Sequence, residues 1–172
     1  MTKVLETPRM ILRHLEESDL GDLKEILQDP MAMTAYAHAF SDEECVDWLR
    51  RMMTRQQTDG ISLWAAIDKA SGAFLGHCGL TMQQVRESRR PEVGYLFKRR
   101  FWHHGYATEA AAACLDYGLQ TLGMENICCI IRDNNFRSQA VARRCGMQVE
   151  DMFVKQYMGH VMPHFLFVKH KA

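Results

Sequence analysis

The stretch 101–110, Phe-Trp-His-His-Gly-Tyr-Ala-Thr-Glu-Ala, constrains this chain more than any other. Glycine at 105 and the small residues after it open an alanine-rich helical segment. The first four N–H groups of a helix lack intrahelical partners, and the macrodipole adds about half a positive charge there, so a phosphate can dock against backbone alone. The other reading of these ten residues is a loop leading into an ordinary core helix, because isolated glycine patterns match by chance. The flanks narrow the choice of fold. Residues 92–97 read as a strand, and 127–132 form a nearly continuous apolar run of strand length. Such runs fit strands buried on both faces, and a strand, helix, strand series needs a crossover, so these two strands are expected to run parallel.

Upstream the period changes. Residues 10–13 read as a short strand, and Ser18 opens a helix with Leu20, Leu23, Ile26 and Leu27 at helical spacing until Asp29-Pro30 stops it. Ser41 and Glu44 form a capping-box pattern, after which Cys45, Trp48, Leu49, Met52 and Met53 mark one buried helix face. Strands are then expected at 63–67, 73–82 and 92–97, the last two joined by a polar, arginine-bearing loop, which together suggest an antiparallel meander. The helix after Gly105 carries a stripe of Ala111, Cys114, Leu115, Leu119 and Leu122, with Gly123 as C-terminal cap. Asn135 can cap a further short helix ending at Gly146, and a hairpin around Gly159-His160 closes the chain, with 165–168 in its second strand. No linker or repeat divides residues 1–172, so one domain is expected.

Composition excludes several classes. The 21 basic and 21 acidic side chains cancel, removing the general attraction that drives non-specific nucleic-acid binding. No apolar run approaches the roughly 20 residues needed to span a bilayer. The opening Met-Thr-Lys-Val-Leu-Glu-Thr-Pro-Arg has charges where an export signal needs apolar residues, so a cytoplasmic location is expected. Cys45, Cys78, Cys114, Cys128, Cys129 and Cys145 sit within apolar segments, without zinc-site or disulfide-framework spacing, and read as reduced core residues.

The order strand, two helices, three antiparallel strands, helix, strand, helix, two strands resembles the GNAT superfamily of acetyl-CoA-dependent N-acetyltransferases. The motifs that carry the resemblance are Thr7-Pro8-Arg9-Met10-Ile11-Leu12-Arg13, Asp19 opening a helix, Gly76-His-Cys-Gly-Leu80, Glu92-Val-Gly-Tyr95, the 101–110 stretch, Asn135-Phe-Arg-Ser138 and Cys145-Gly146-Met147. Together they run over nearly the whole chain and look like the branch typified by ribosomal-protein N-terminal acetyltransferases (RimJ/RimL-like). The implied fold is α/β (α+β): a mixed, mostly antiparallel twisted sheet of about seven strands flanked by four helices, with a splayed parallel pair in the centre. The implied partners are acetyl-CoA and an amine acceptor, with no metal, no nucleic acid and no membrane, as a monomer or homodimer.

On this resemblance, backbone around Leu96 and Phe97 holds a pantetheine arm as an added strand would. The turn formed by Trp102, His103, His104, Gly105, Tyr106, Ala107 and Thr108 wraps the pyrophosphate, with Lys98, Arg99 and Arg100 adding positive charge. Trp102 stands where the superfamily often has Arg or Gln, and Ala142 stands where many members carry a tyrosine general acid. Asn135 is both a helix N-cap and a contact to the arm, and Ser138 is the candidate proton donor to the leaving thiolate. Glu92 is the candidate base for the amine, or else a strand-edge charge paired with Arg86, Arg89 or Arg90. Tyr36 and Phe40, in the loop between the first two helices, are the candidate acceptor-site residues, and the acidic run Asp42, Glu43, Glu44 and Asp47 could attract a basic acceptor. Glu109 reads as a structural carboxylate at a helix start.

The leading expectation is acetyl transfer by direct attack of a primary amine, on a protein or peptide N-terminus. A small-molecule amine (aminoglycoside, polyamine or amino acid) and a non-catalytic CoA-binding sensor are the alternatives. A Rossmann-type dinucleotide domain is disfavoured, because the glycine turn follows an antiparallel meander and lacks an acidic ribose-binding residue.

Overall fold

Apolar runs along the chain fold into one eight-stranded sheet, ordered β1-β2-β3-β4-β5-β6-β8-β7. The structure is a computed structural model and describes residues 2–157 and 159–172. The strands are β1 (Lys3–Glu6), β2 (Met10–Arg13), β3 (Leu63–Asp68), β4 (Phe74–Val85), β5 (Ser88–Phe97), β6 (Asn126–Arg132), β7 (Gln148–Tyr157) and β8 (His160–His170). Four α-helices connect them: α1 (Leu20–Leu27), α2 (Asp42–Thr58), α3 (Tyr106–Asp116) and α4 (Phe136–Arg144). Every neighbouring pair is antiparallel except β5 and β6. The sheet therefore has the expected mixed character with one strand more than anticipated. The extra strand, β1, spans four residues with a charge at each end on the sheet edge, too short to show a period.

The polar segment between β4 and β5 is also more regular than its composition suggests. Gln83 pairs with Arg90 and Gln84 with Arg89, leaving Arg86-Glu87 as the turn, with Arg86 at φ 52°. Ladder bonds join main-chain groups, so solvent-facing Gln and Arg side chains do not prevent pairing.

Helices cover both faces. On one, α3 and α4 pack over Trp64, Leu80, Val93, Ile127 and Phe167. On the other, Leu23, Ile26 and Leu27 of α1 meet Trp48, Leu49 and Met52 of α2 over Ala65 and Phe74. Full burial of each large side chain contributes roughly 1.5–3 kcal/mol. The α2 start has its full capping box: Ser41 Oγ accepts the Glu44 N–H at 3.2 Å, and Glu44 Oε2 accepts the Ser41 N–H at 2.7 Å. All six cysteines are buried and free, and Cys78 Sγ lies 3.6 Å from Cys114 Sγ inside the larger core.

The feature that positions the site is the weak join between β5 and β6. Their parallel pairing consists of Glu92 opposite Cys128, beyond which the two strands diverge.

Candidate functional site

The ladder bonds decide which main-chain groups face the opening between β5 and β6. Lys98 donates its N–H to the Leu75 carbonyl, and the β4–β5 register continues without a bulge from Phe97 back to Ser88. Alternation in an antiparallel ladder then gives the backbone of Leu96, Gly94 and Glu92 to β4 and turns that of Phe97, Tyr95 and Val93 toward β6. The Leu96 main-chain groups are thus engaged by β4, and Leu96 itself lines the cleft. The Phe97 carbonyl already accepts the Trp102 indole N–H at 2.8 Å.

Trp102 stitches the following turn onto the end of β5, and its ring lies 4.6 Å beneath the Arg137 guanidinium. His103 has φ 65° and Gly105 φ 79°, so the chain passes twice through left-handed backbone before α3 begins. Glycine suits this better than any residue with a Cβ. No side chain caps α3, which leaves the N–H groups of Tyr106, Ala107 and Thr108 without intrahelical acceptors. The turn is braced from below. Arg9 donates to the His104 carbonyl at 2.9 Å and lies 4.3 Å over the Tyr106 ring, while Glu109 accepts from Thr7 Oγ1, the Arg9 N–H and Arg9 Nε. Glu109 therefore supports the loop. The Tyr106 ring stacks on Phe97. His103 and His104 are exposed beside the free N–H groups. A rigid, uncapped helix start of this kind fits a pyrophosphate.

Asn135 caps α4, its side chain accepting the Ser138 N–H at 3.2 Å. Across the opening, the Tyr95 hydroxyl donates to the Ser138 carbonyl at 2.9 Å and lies 2.9 Å from Ser138 Oγ. Burial pushes the Tyr95 phenol well above its ordinary pKa, so it stays protonated. Ala142 is buried in the core and offers no general acid. A tyrosine hydroxyl does reach Ser138, but from β5.

Glu92, Ser138, Asn135, Leu96, Tyr36 and Phe40 all line one cleft of about 650 Å3, with Trp48, His77 and Tyr95. At its floor, Glu92 Oε2 accepts the Ile130 N–H at 2.9 Å, a donor that a continued parallel ladder would have given to β5. Burial raises the Glu92 pKa to about 7, against opposing effects of the Ile130 N–H, Lys155 and Arg55. Near neutral pH it therefore exists in both protonation states, which suits a base. Tyr36 and Phe40 meet edge to face, with centroids 6.1 Å apart. His77 lies 4.9 Å from the Trp48 ring, and burial lowers its pKa to about 3, so the imidazole is neutral. Neither of its ring nitrogens has a hydrogen-bond partner among the described residues.

Several expectations are redirected. Lys98 is buried against Asp22 and Glu25, Arg99 pairs with Asp29, and Arg100 with Glu25. These cations fasten β5 to α1, and their charge is already matched by carboxylates. Glu92 is not a strand-edge ion pair: Arg86 takes Asp151, Arg89 takes Asp59, and Arg90 donates to Asn126. Of the acidic run, Asp42 pairs with Lys24 and Glu44 with His38, and none of the four lines the cleft. Tyr95, His77, Arg55, Arg132 and Lys155 line the cleft without having been singled out. Tyr95 stands in a quoted motif and was findable by asking which strand side chains face α4. The others depend on how distant segments meet.

No helix among the described residues is long and apolar enough to cross a membrane, and no group of three or more His, Cys, Asp or Glu among them is placed to hold a metal ion.

The sequence profile of the acetyltransferase (GNAT) domain matches residues 9–148. An uncharacterized Bacillus subtilis protein, YkkB, is 39% identical over 144 residues, covering 83% of this chain and 84% of that protein. The solved GNAT-family acetyltransferase from Bacillus anthracis superposes with a TM-score of 0.83 at 20% identity, covering 97% of this chain and 98% of that one. The structure of RimL, a ribosomal α-N-protein acetyltransferase in complex with coenzyme A, gives a TM-score of 0.80 at 15% identity, covering 98% and 97%.

Proposed function

This chain belongs to the acetyltransferase (GNAT) family and is an acetyl-CoA-dependent acetyltransferase, and from that premise we propose that it acetylates the α-amine of a peptide or protein N-terminus by direct attack. A place in the RimJ/RimL-like branch is part of the same proposal. The observation that carries it is the opening between β5 and β6, with Glu92 at its floor and the Tyr95–Ser138 pair on its wall. The uncapped N–H groups of Tyr106, Ala107 and Thr108 hold the pyrophosphate, and the splay-facing backbone of Tyr95 and Phe97 takes the pantetheine amides. Asn135 fixes the α4 end of the slot.

When bound, acetyl-CoA supplies a thioester carbonyl. The acceptor nitrogen forms the new C–N bond, the C–S bond breaks, and the two protons involved need separate routes. Glu92 receives the proton lost by the amine, directly or through a water. Ser138, with Tyr95 beside it, donates a proton to the departing sulfur and regains one from solvent, although a thiol pKa near 8.5 makes this assistance modest. A β5 N–H on the splay side meets the charge developing on the carbonyl oxygen. Deprotonating an α-amine of pKa about 7.7–8.0 at pH 7 costs about 1–1.4 kcal/mol, against roughly 4.6 for a lysine amine, so an α-amine needs less help from a base.

The test is free-thiol release from acetyl-CoA across N-terminal peptides, lysine side-chain analogues and small amines. Release on peptides with a free α-amine, and little on the same peptides with a blocked one, is expected. Preference for a lysine side chain would overturn the acceptor assignment, and tight CoA binding with no release on any amine would favour a sensor.

A further inference from the structure

Many of the cations elsewhere in this molecule stand beside carboxylates. Arg9, Arg13, Lys24, Lys69, Arg86, Arg89, Lys98, Arg99 and Arg100 each have an acidic partner within 4 Å. The cleft is different. Arg55 from α2, Arg132 from the end of β6 and Lys155 from β7 all line it, and none has a carboxylate partner among the described residues. Arg132 donates to the Thr34 carbonyl through Nη1, in the loop that carries Tyr36, while its Nε is buried and unpartnered among the described residues. His77 adds a buried imidazole with both nitrogens unpartnered. Among the described residues, Glu92 is the sole carboxylate in the cleft lining.

A lining with excess positive charge, only part of it offset by Glu92, disfavours a polycationic acceptor and attracts an anionic one. Resting on the acetyl-transfer reading above, we propose that the acceptor carries an anionic group, a carboxylate or a phosphate, near its reacting amine, and that Arg55, Arg132 and Lys155 hold that group. Their side chains come from three separate elements, so they surround the cleft rather than forming one solvated helix face. The anion is placed beside the cations while the amine reaches Glu92. In the peptide case this means an acidic side chain close behind the N-terminus. In the small-molecule case it means an amino acid or a phosphorylated amine, and an aminoglycoside or polyamine is disfavoured.

The experiment compares matched acceptors in the thiol-release assay: the dipeptide Ala-Glu with the amidated dipeptide Ala-Gln, phosphoethanolamine with ethanolamine, and spermidine as the polycation. Rates within each pair are corrected for the fraction of free amine. The anionic member of at least one pair is expected to show about tenfold higher kcat/KM. Arg55→Gln and Lys155→Gln should lower that ratio, mainly through KM, and salt should erode it. Each ratio is taken within one protein sample, so partial misfolding of a variant cancels. Equal rates within both pairs, preference for spermidine, or ratios unchanged in both variants would overturn the proposal while leaving acetyl transfer intact. Binding supplies the independent arm, read from intrinsic tryptophan fluorescence, to which Trp48 in the cleft lining contributes, during titration with the same compounds. If no acceptor turns over but the anionic members still bind about tenfold more tightly, the anion site stands and the acetyl-transfer reading falls. Equal binding with no turnover removes both.

Discussion

The two walls of the cleft are built by different means. The proposed coenzyme wall consists of main-chain groups set by local geometry: the turn through His103 and Gly105, the uncapped start of α3, the splay-facing backbone of β5 and the Asn135 cap of α4. The proposed acceptor wall consists of side chains delivered by separate segments: Tyr36 and Phe40 from a loop, Arg55 from α2, Lys155 from β7 and His77 from β4. Backbone geometry is encoded locally, by glycine, small residues and cap residues at fixed spacing. A wall made of side chains is encoded only by the whole fold. The first wall can therefore keep its ligand while the second changes its own.

The largest expected effect on the coenzyme wall is that of Gly105→Val. A β-branched residue at φ 79° is strained by about 1–2 kcal/mol or more, so the turn shifts and the KM for acetyl-CoA should rise by roughly 10- to 100-fold. Steady-state kinetics beside a melting curve would separate lost binding from lost folding, and an unchanged KM would break the claim that this backbone grips the coenzyme. Ser138→Ala comes next, with kcat lowered by up to about tenfold while the acceptor KM stays put, because the thiolate leaves tolerably unaided. Wild-type turnover would remove Ser138 from the reaction. Asn135→Ala removes an N-cap worth about 1 kcal/mol, which lowers Tm by about 2–4 °C in a domain of this size. Calorimetry checks it, and a loss of acetyl-CoA affinity in the still-folded variant would show that Asn135 also touches the arm. The smallest effect is expected from His103→Ala and His104→Ala. With backbone N–H groups proposed to carry the pyrophosphate, each should change the acetyl-CoA KM by less than about threefold. A tenfold loss in either would mean that side chains, too, build the coenzyme wall.

This division also explains how much was legible beforehand. Gly105, the capping box at Ser41 and Glu44, the N-cap Asn135 and the apolar run 127–132 each signal local structure, and the structure places each as read. Strand β1 gave no signal because four residues with a charge at each end carry no period. Lys98, Arg99 and Arg100 misled because sequence shows charge without its partner, and the partners lie some seventy residues away on and just after α1. Tyr95 went unassigned because its contact with Ser138 depends on how far β5 and β6 diverge. The elevated pKa of Glu92 needs the same knowledge, since the cause is burial at the junction of two strands.

Glu92 joins the two walls, and its titration has two consequences of opposite sign. An acid whose folded pKa lies near 7, above its unfolded value near 4.5, destabilises the fold as pH rises through that window. Catalysis needs the ionised form, so activity rises through the same window. The most direct measurement is the pH dependence of kcat/KM for an α-amine peptide, in wild type and Glu92→Gln. In wild type, log kcat/KM should climb with a slope near two below about pH 7, where base and amine are both protonated, then near one up to the amine pKa. Glu92→Gln should lose about 100-fold at neutral pH and climb with a slope near one throughout, leaving the amine as the single titrating group. A variant that keeps both limbs and most of its activity would show that Glu92 is only the acceptor of the Ile130 N–H and that the base lies elsewhere.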